Sequence, residues 1–250
     1  MNAIDKYFLK ISRGKKNHFL KVFRFNVKFF LMKYFPRIVH IISKMKYPRT
    51  TFSSSTEITM DGFQRSGNSF ATYQFMTKNK TLNIAHHRHI NTQIIFSAQN
   101  KIPTIVFIRD PIDAIISAFF VQESAVPLEI IIRSWINFYE PILRYKNEII
   151  ISDFKNTINN FDQIIYQLNK KYDSNFLIPK IDKNTYENYS MYIEKLQIKN
   201  FGKLDNNRMS KPNDTRINKK QSLIDKIKKE NIVSLKKSYD IYNFLVKKNN

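Results

Sequence analysis

The chain has 250 residues, 42% hydrophobic and 14% aromatic, enough apolar material for one domain with a packed core and too much for a disordered chain. It has no cysteine, which excludes disulfides, thiol nucleophiles and Cys-ligated zinc and fits a reducing compartment, so a cytoplasmic location is expected. The formal net charge of +22 suits an anionic partner such as nucleic acid, an acidic membrane surface or a polyanionic substrate, although the richness in Lys, Asn and Ile makes part of the charge a matter of composition.

Residues 1–50 are basic and aromatic, with Asp5 the only acid. From Asn17 to Met45 apolar residues recur near helical spacing, at Phe19, Val22, Phe23, Phe29, Phe30, Ile38, Ile41 and Ile42, interrupted by Lys21, Arg24, Lys28 and Lys33. Pro36 ends or kinks the first helix. Two readings of this arm stay open: an amphipathic helix lying on an anionic membrane surface, peripheral to the inner face, or a helical arm packed on the domain. No uncharged apolar run reaches about 18 residues, so no membrane-spanning helix is expected, and the N-terminus lacks the apolar core of a signal peptide. A Pro/Ser/Thr linker, Tyr47 to Thr56, divides a 1–50 arm from a 51–250 main domain.

Ile58 to Gly62 has strand character, and Gly62-Phe63-Gln64-Arg65-Ser66-Gly67 is a polar turn before a helix over Ser69–Met76. A strand feeding a glycine turn that opens a helix makes an anion site from backbone N–H groups and the helix dipole. Two of the chain's four glycines bound this turn. Ser66 and Ser69 add hydroxyls, and Arg65 a fork suited to phosphate or sulfate oxygens. The spacing is nearly that of a Walker A loop, but the Walker lysine is replaced by Asn68, which argues against ordinary ATP or GTP hydrolysis.

His86, His87 and His89 fall within four residues, and one imidazole in such a segment can serve as a general base; a solvated polar loop is the competing reading. Asn91–Asn100 reads as helix. Ile102–Ile108 is a continuous apolar run rich in β-branched residues, suited to a strand buried on both faces of a parallel sheet. Arg109 follows at its carboxyl end, where open α/β sheets bind ligands, unless it only pairs with Asp110 or Asp113. Pro111 opens a helix to about Val121 that carries Ser117. A helix from Val126-Pro127 carries Trp135, Phe138 and Tyr139 as core aromatics. Glu148–Ser152 is a strand and Asp162–Tyr172 a helix. Residues 173–222 read as irregular and polar, and Leu223–Val246 as one long basic helix or two. This order implies an α/β fold with a central parallel sheet flanked by helices.

Two signatures now stand in order: Gln64-Arg65-Ser66-Gly67-Asn68-Ser69-Phe70, and the strand Ile105–Ile108 followed by Arg109-Asp110-Pro111 with Ser117 eight positions after the arginine. With a histidine segment between them, the chain resembles the sulfotransferases that use 3′-phosphoadenosine 5′-phosphosulfate (PAPS), most of all their bacterial carbohydrate-type branch, over about Ile58 to Phe244. The resemblance implies a P-loop NTPase-like sulfotransferase fold. It assigns Arg65, Ser66, Gly67, Asn68, Ser69 and Phe70 to the 5′-phosphosulfate loop, with Arg65 also catalytic. It assigns Arg109 and Ser117 to the 3′-phosphate, and the base to His87 with His86 and His89 as rivals. Asn68 departs from the family's commoner Thr. The family's distal Arg-Lys-Gly loop is not present as such, and Arg208, Lys211 and Arg216 are its stand-ins. PAPS is the expected co-substrate, with no metal. The expected acceptor is a hydroxyl of a glycan, glycolipid or small molecule, and nucleic acid is not an expected partner. The rival readings are a P-loop kinase or NTPase and a non-enzymatic basic module for membrane or nucleic acid.

Overall fold

The computed structural model describes residues 18–122, 125–182, 184–202, 204 and 214–247. Two helices lead, α1 (His18–Tyr34) and α2 (Pro36–Lys46). Pro36 is the first residue of α2, where its fixed φ and missing N–H cost nothing. Strands and helices then alternate: β1 (Ile58–Gly62), α3 (Asn68–Lys78), β2 (Ile84–His86), α4 (Asn91–Gln99), β3 (Thr104–Ile108), α5 (Pro111–Val121), α6 (Leu128–Tyr139), a 3-10 turn (Glu140–Tyr145), β4 (Ile150–Asp153), α7 (Phe154–Asn159) and α8 (Phe161–Tyr172). Helices α9 (Thr185–Phe201), α10 (Asp214–Glu230) and α11 (Ile232–Val246) close the described chain.

The four strands form one parallel sheet in the order β2-β1-β3-β4. Met60 stands opposite Ile105 and Gly62 opposite Phe107. Side chains alternate across the sheet. Ile58, Met60, Ile105 and Phe107 meet Phe75 of α3 and Phe161, Ile165 and Leu168 of α8. Val106 and Ile108 face the other layer, built from α4, α5 and α6 with Ile227 of α10 and Leu235 of α11. That double cover is why β3 reads as an unbroken apolar run. The chain leaves β1 toward β2 on one side and returns to β3 on the other. The strand order therefore reverses between β1 and β3, the position at whose carboxyl ends open α/β sheets bind ligands, and we term that end the β1/β3 crevice.

The arm is packed on the domain along one face. Phe29, Met32 and Val39 are buried in the larger core, and the Phe29 ring lies 6.3 Å from that of Phe63. Among the described residues no helix is long and apolar enough to cross a membrane.

The segment read as irregular differs most from expectation, since Thr185–Phe201 is helical and a further helix begins at Asp214. A polar helix gains its stability from tertiary contacts. Here Tyr189 is buried with its ring 5.3 Å from Phe70 and 5.8 Å from Tyr73 of α3. The basic C-terminal segment resolves into two helices, with the break at Asn231, whose φ is −133°.

Candidate functional site

The site begins where β1 ends. A Cβ on Gly62 would stand 2.2 Å from the Phe107 carbonyl oxygen, so glycine alone permits the two strands to lie this close. In the loop that follows, Arg65 (φ 71°) and Gly67 (φ 94°) are left-handed and curl the chain toward α3. Two side chains fix that curl. The Tyr139 hydroxyl of α6 donates to Phe107 O at 2.6 Å, accepts from Phe63 N at 3.1 Å and lies 3.3 Å from Ser66 Oγ. Burial raises the Tyr139 pKa well above its usual value, so the hydroxyl remains a donor. Asn68 Nδ2 donates to Phe63 O at 3.0 Å. Ser66 and Asn68 are thus buried supports of the loop, while Ser69 is half-buried with Oγ 3.1 Å from His87 Nε2.

The second signature docks on the first. Asp110 caps α5 by accepting from Asp113 N at 3.1 Å, and Pro111 takes the first helical position. Ser117 on α5 accepts from Arg65 Nε at 2.8 Å. Arg109 Nη1 reaches Arg65 O at 3.5 Å, and its guanidinium lies 4.4 Å from the centre of the Phe154 ring. The ion pair read from the sequence is also present, with Arg109 Nη2 3.6 Å from Asp113, a carboxylate shared with Lys220 at 2.7 Å. Arg109 Nε is buried and has no hydrogen-bond partner among the described residues. Burial lowers the Arg109 pKa against the pull of Asp113 and Asp110, but an arginine stays cationic. Arg65 and Arg109 therefore stand at the carboxyl ends of adjacent parallel strands.

Asp61 organises the histidine segment. It is fully buried and gathers four N–H donors: Gly62 N at 2.9 Å, Arg88 N at 3.2 Å, His89 N at 2.9 Å and Gln93 Nε2 at 2.5 Å. Burial alone would raise its pKa, but the hydrogen bond and charge of His89 and the Gly62 N–H bring it below the usual carboxylate value. His87 (φ 54°) and His89 (φ 51°) are both left-handed, and this backbone turns two successive N–H groups onto one carboxylate oxygen. On the outer side, Lys28 of α1 donates to Arg88 O at 3.3 Å. Burial lowers its pKa to about 8 against the attraction of Asp61.

The three imidazoles differ. Nδ1 of His89 lies 2.8 Å from Gly62 O, which only accepts, so Nδ1 carries a hydrogen. The same Nδ1 is 3.4 Å from Asp61 Oδ1, and the ring is 28% exposed. His86 and His87 face each other through Nδ1 atoms 2.7 Å apart. Burial is the main cause that lowers His86 to about 4 and His87 to about 3, so both are neutral near pH 7. Among the described residues no three His, Asp or Glu side chains converge as a metal-ligand set.

The structure therefore brings together Arg65, Ser66, Gly67, Asn68, Ser69, Arg109, Ser117 and the histidines. Phe70 points away from them into the α3–α9 contact. Arg208 and Lys211 lie outside the described residues, and Arg216 falls within α10. Sequence reasoning gave Asp61 no role and read Tyr139 only as core. A signal for Asp61 existed, because an acid in a strand buried on both faces must find donors. Chemically, two arginines at a loop that also bonds an imidazole through Ser69 can bind a polyanion close to a proton acceptor. The chain matches no protein-family model, no curated protein and no solved structure.

Proposed function

We propose that this chain is a sulfotransferase that moves a sulfuryl group from PAPS to an acceptor hydroxyl on a glycan, a glycolipid or a small molecule. The observation that carries the reading is the meeting of the two signatures at the β1/β3 crevice, where Arg65 Nε bonds Ser117 Oγ and Arg109 reaches the Arg65 carbonyl. The unpartnered Nε of Arg109 supports it further, since a buried guanidinium donor calls for an acceptor such as a phosphate oxygen. A P-loop kinase is disfavoured because the Walker lysine position holds Asn68, whose amide serves as a strut to Phe63 O.

In this mechanism the acceptor oxygen forms a bond to sulfur as the bond from sulfur to the bridging oxygen of the nucleotide breaks. The acceptor proton passes to an imidazole, and the leaving nucleotide is 3′,5′-adenosine bisphosphate. Such loose transfers are accelerated chiefly by positioning and by charge stabilisation. Arg65 balances charge on the bridging oxygen, and Arg109 with Ser117 holds the 3′-phosphate. The resemblance centres the base on His87, but the geometry favours His89. Its Nδ1 hydrogen is engaged by Gly62 O, which leaves Nε2 as the ring nitrogen to take a proton, and Asp61 beside Nδ1 would stabilise the imidazolium. His87, with its depressed pKa and its bond to Ser69, becomes a support of the loop.

Calorimetric titration with 3′,5′-adenosine bisphosphate, ATP and 5′-AMP, each with and without magnesium, tests the reading. The bisphosphate is expected to bind most tightly and without metal, and Arg109→Ala to weaken it about ten- to a hundred-fold, the worth of a charge-assisted contact. Preference for ATP with magnesium, or no nucleotide binding at all, would overturn the sulfotransferase reading.

A further inference from the structure

The arm carries two apolar stripes, and the domain uses only one. Phe29, Met32 and Val39 face the core. On α1, Phe19, Phe23, Val27, Phe30 and Tyr34 recur every three to four residues and all stay exposed, Phe19 to 74%. On α2, Ile38, Ile41, Ile42 and Met45 do the same, Met45 to 80%. The rings join the stripes across the Phe35 junction, with Phe30 4.9 Å from Tyr34 and 6.3 Å from Phe35. A soluble surface has no use for so continuous an apolar patch.

The charges beside the patch have one sign. Between residues 18 and 56 there is no Asp or Glu, and Lys33, Arg37, Lys44, Lys46 and Arg49 are all exposed. A second copy of the chain would bring these cations face to face, so self-association is opposed. Nucleic acid would meet the charge but offers no hydrocarbon to isoleucine and methionine. An anionic bilayer satisfies both, with acyl chains for the stripe and headgroup phosphates and carboxylates for the cations.

We propose that α1 and α2 form a docking surface for an anionic phospholipid bilayer. The outward stripes enter the headgroup boundary while the inward stripe holds the arm to the domain. The proposal stands independently of the chemistry at the β1/β3 crevice.

Co-sedimentation of the full chain with vesicles tests it, using phosphatidylcholine alone and phosphatidylcholine mixed with phosphatidylserine. Binding is expected to the mixed vesicles only and to fall about ten-fold or more at high salt. The exposed-stripe variant Phe23→Ser/Phe30→Ser/Ile41→Ser/Ile42→Ser, and separately Arg37→Glu/Lys44→Glu/Lys46→Glu, are each expected to lower binding at least about ten-fold. Both should unfold at the wild-type temperature, because the buried stripe is untouched. Absence of binding to anionic vesicles would overturn the proposal. So would binding indifferent to the serine substitutions, or a concentration-dependent oligomer that the serine variant dissolves while vesicles never bind.

Discussion

Asp61 has no access to solvent, yet its charge is held by donors from β1, from the His86–His89 turn and from α4. Asp61→Asn keeps the volume but presents an amide to several N–H groups at once. It is expected to cost roughly 2–4 kcal/mol of stability in urea unfolding, because buried donors lose an ionised acceptor. It also frees His89 from its fixed geometry. Once an acceptor is in hand, His89→Ala is expected to lower turnover by about a hundred-fold or more, the usual worth of a general base, and His87→Ala to lower it less. A larger loss in His87→Ala than in His89→Ala would return the proton-accepting role to His87. Gly62 and Gly67 are residue-scale requirements of another kind, the first for close approach of β3 and the second for its left-handed φ.

Tyr139 shows how one helix holds the loop of another element. Its hydroxyl ties β3 through Phe107 O to the loop through Phe63 N, so α6 fixes the distance between the two signatures. Tyr139→Phe leaves the ring packed against Trp135 and Phe138 but strands a carbonyl and an N–H. The expected loss is about 1–3 kcal/mol in denaturant unfolding, with weaker bisphosphate binding in calorimetry because the loop loses its brace. Unchanged affinity would mean that the loop is held elsewhere. The arm helices act at the same scale, since their buried stripe brings Lys28 against the Arg88 carbonyl and so closes the histidine segment from behind.

For the whole molecule, the depressed histidines predict how stability follows pH. His86 and His87 have folded values of about 4 and about 3, below the ordinary 6.5, so the unfolded state binds more protons between these limits. Their contribution is therefore complete above about pH 6.5 and is lost as pH falls toward the folded values, with a slope of up to about 1.4 kcal/mol per pH unit for each group. Asp61, also depressed, adds to the loss at more acid pH. A thermal unfolding series from pH 7 to pH 4 is expected to show a falling midpoint, flattened in the double variant His86→Asn/His87→Asn. A midpoint equally steep in that variant would place the acid sensitivity outside this cluster.

Periodicity and turn chemistry are local, and what depends on them was legible in the sequence by itself: the strands β1, β3 and β4 with the helices that follow them, the break at Pro36, the glycine turn after β1 and the position of Arg109 at the end of β3, but not the three-residue edge strand β2, which lies where the sequence reads only as a histidine segment. The parallel sheet followed from that alternation. What only the tertiary structure decided was pairing between distant residues. Nothing in the spacing of Arg65 and Ser117 says that they touch, nor that the Asp61 carboxylate gathers the histidine turn, nor that Tyr139 braces the loop. These partners lie on different elements, and their meeting depends on strand order and on how helices cover the sheet. The helix α9 was missed for the same reason, because its stability comes from Tyr189 against α3 and not from its own pattern. Sequence also showed that the arm was amphipathic, but only packing could separate the stripe that the core uses from the stripe left in solvent.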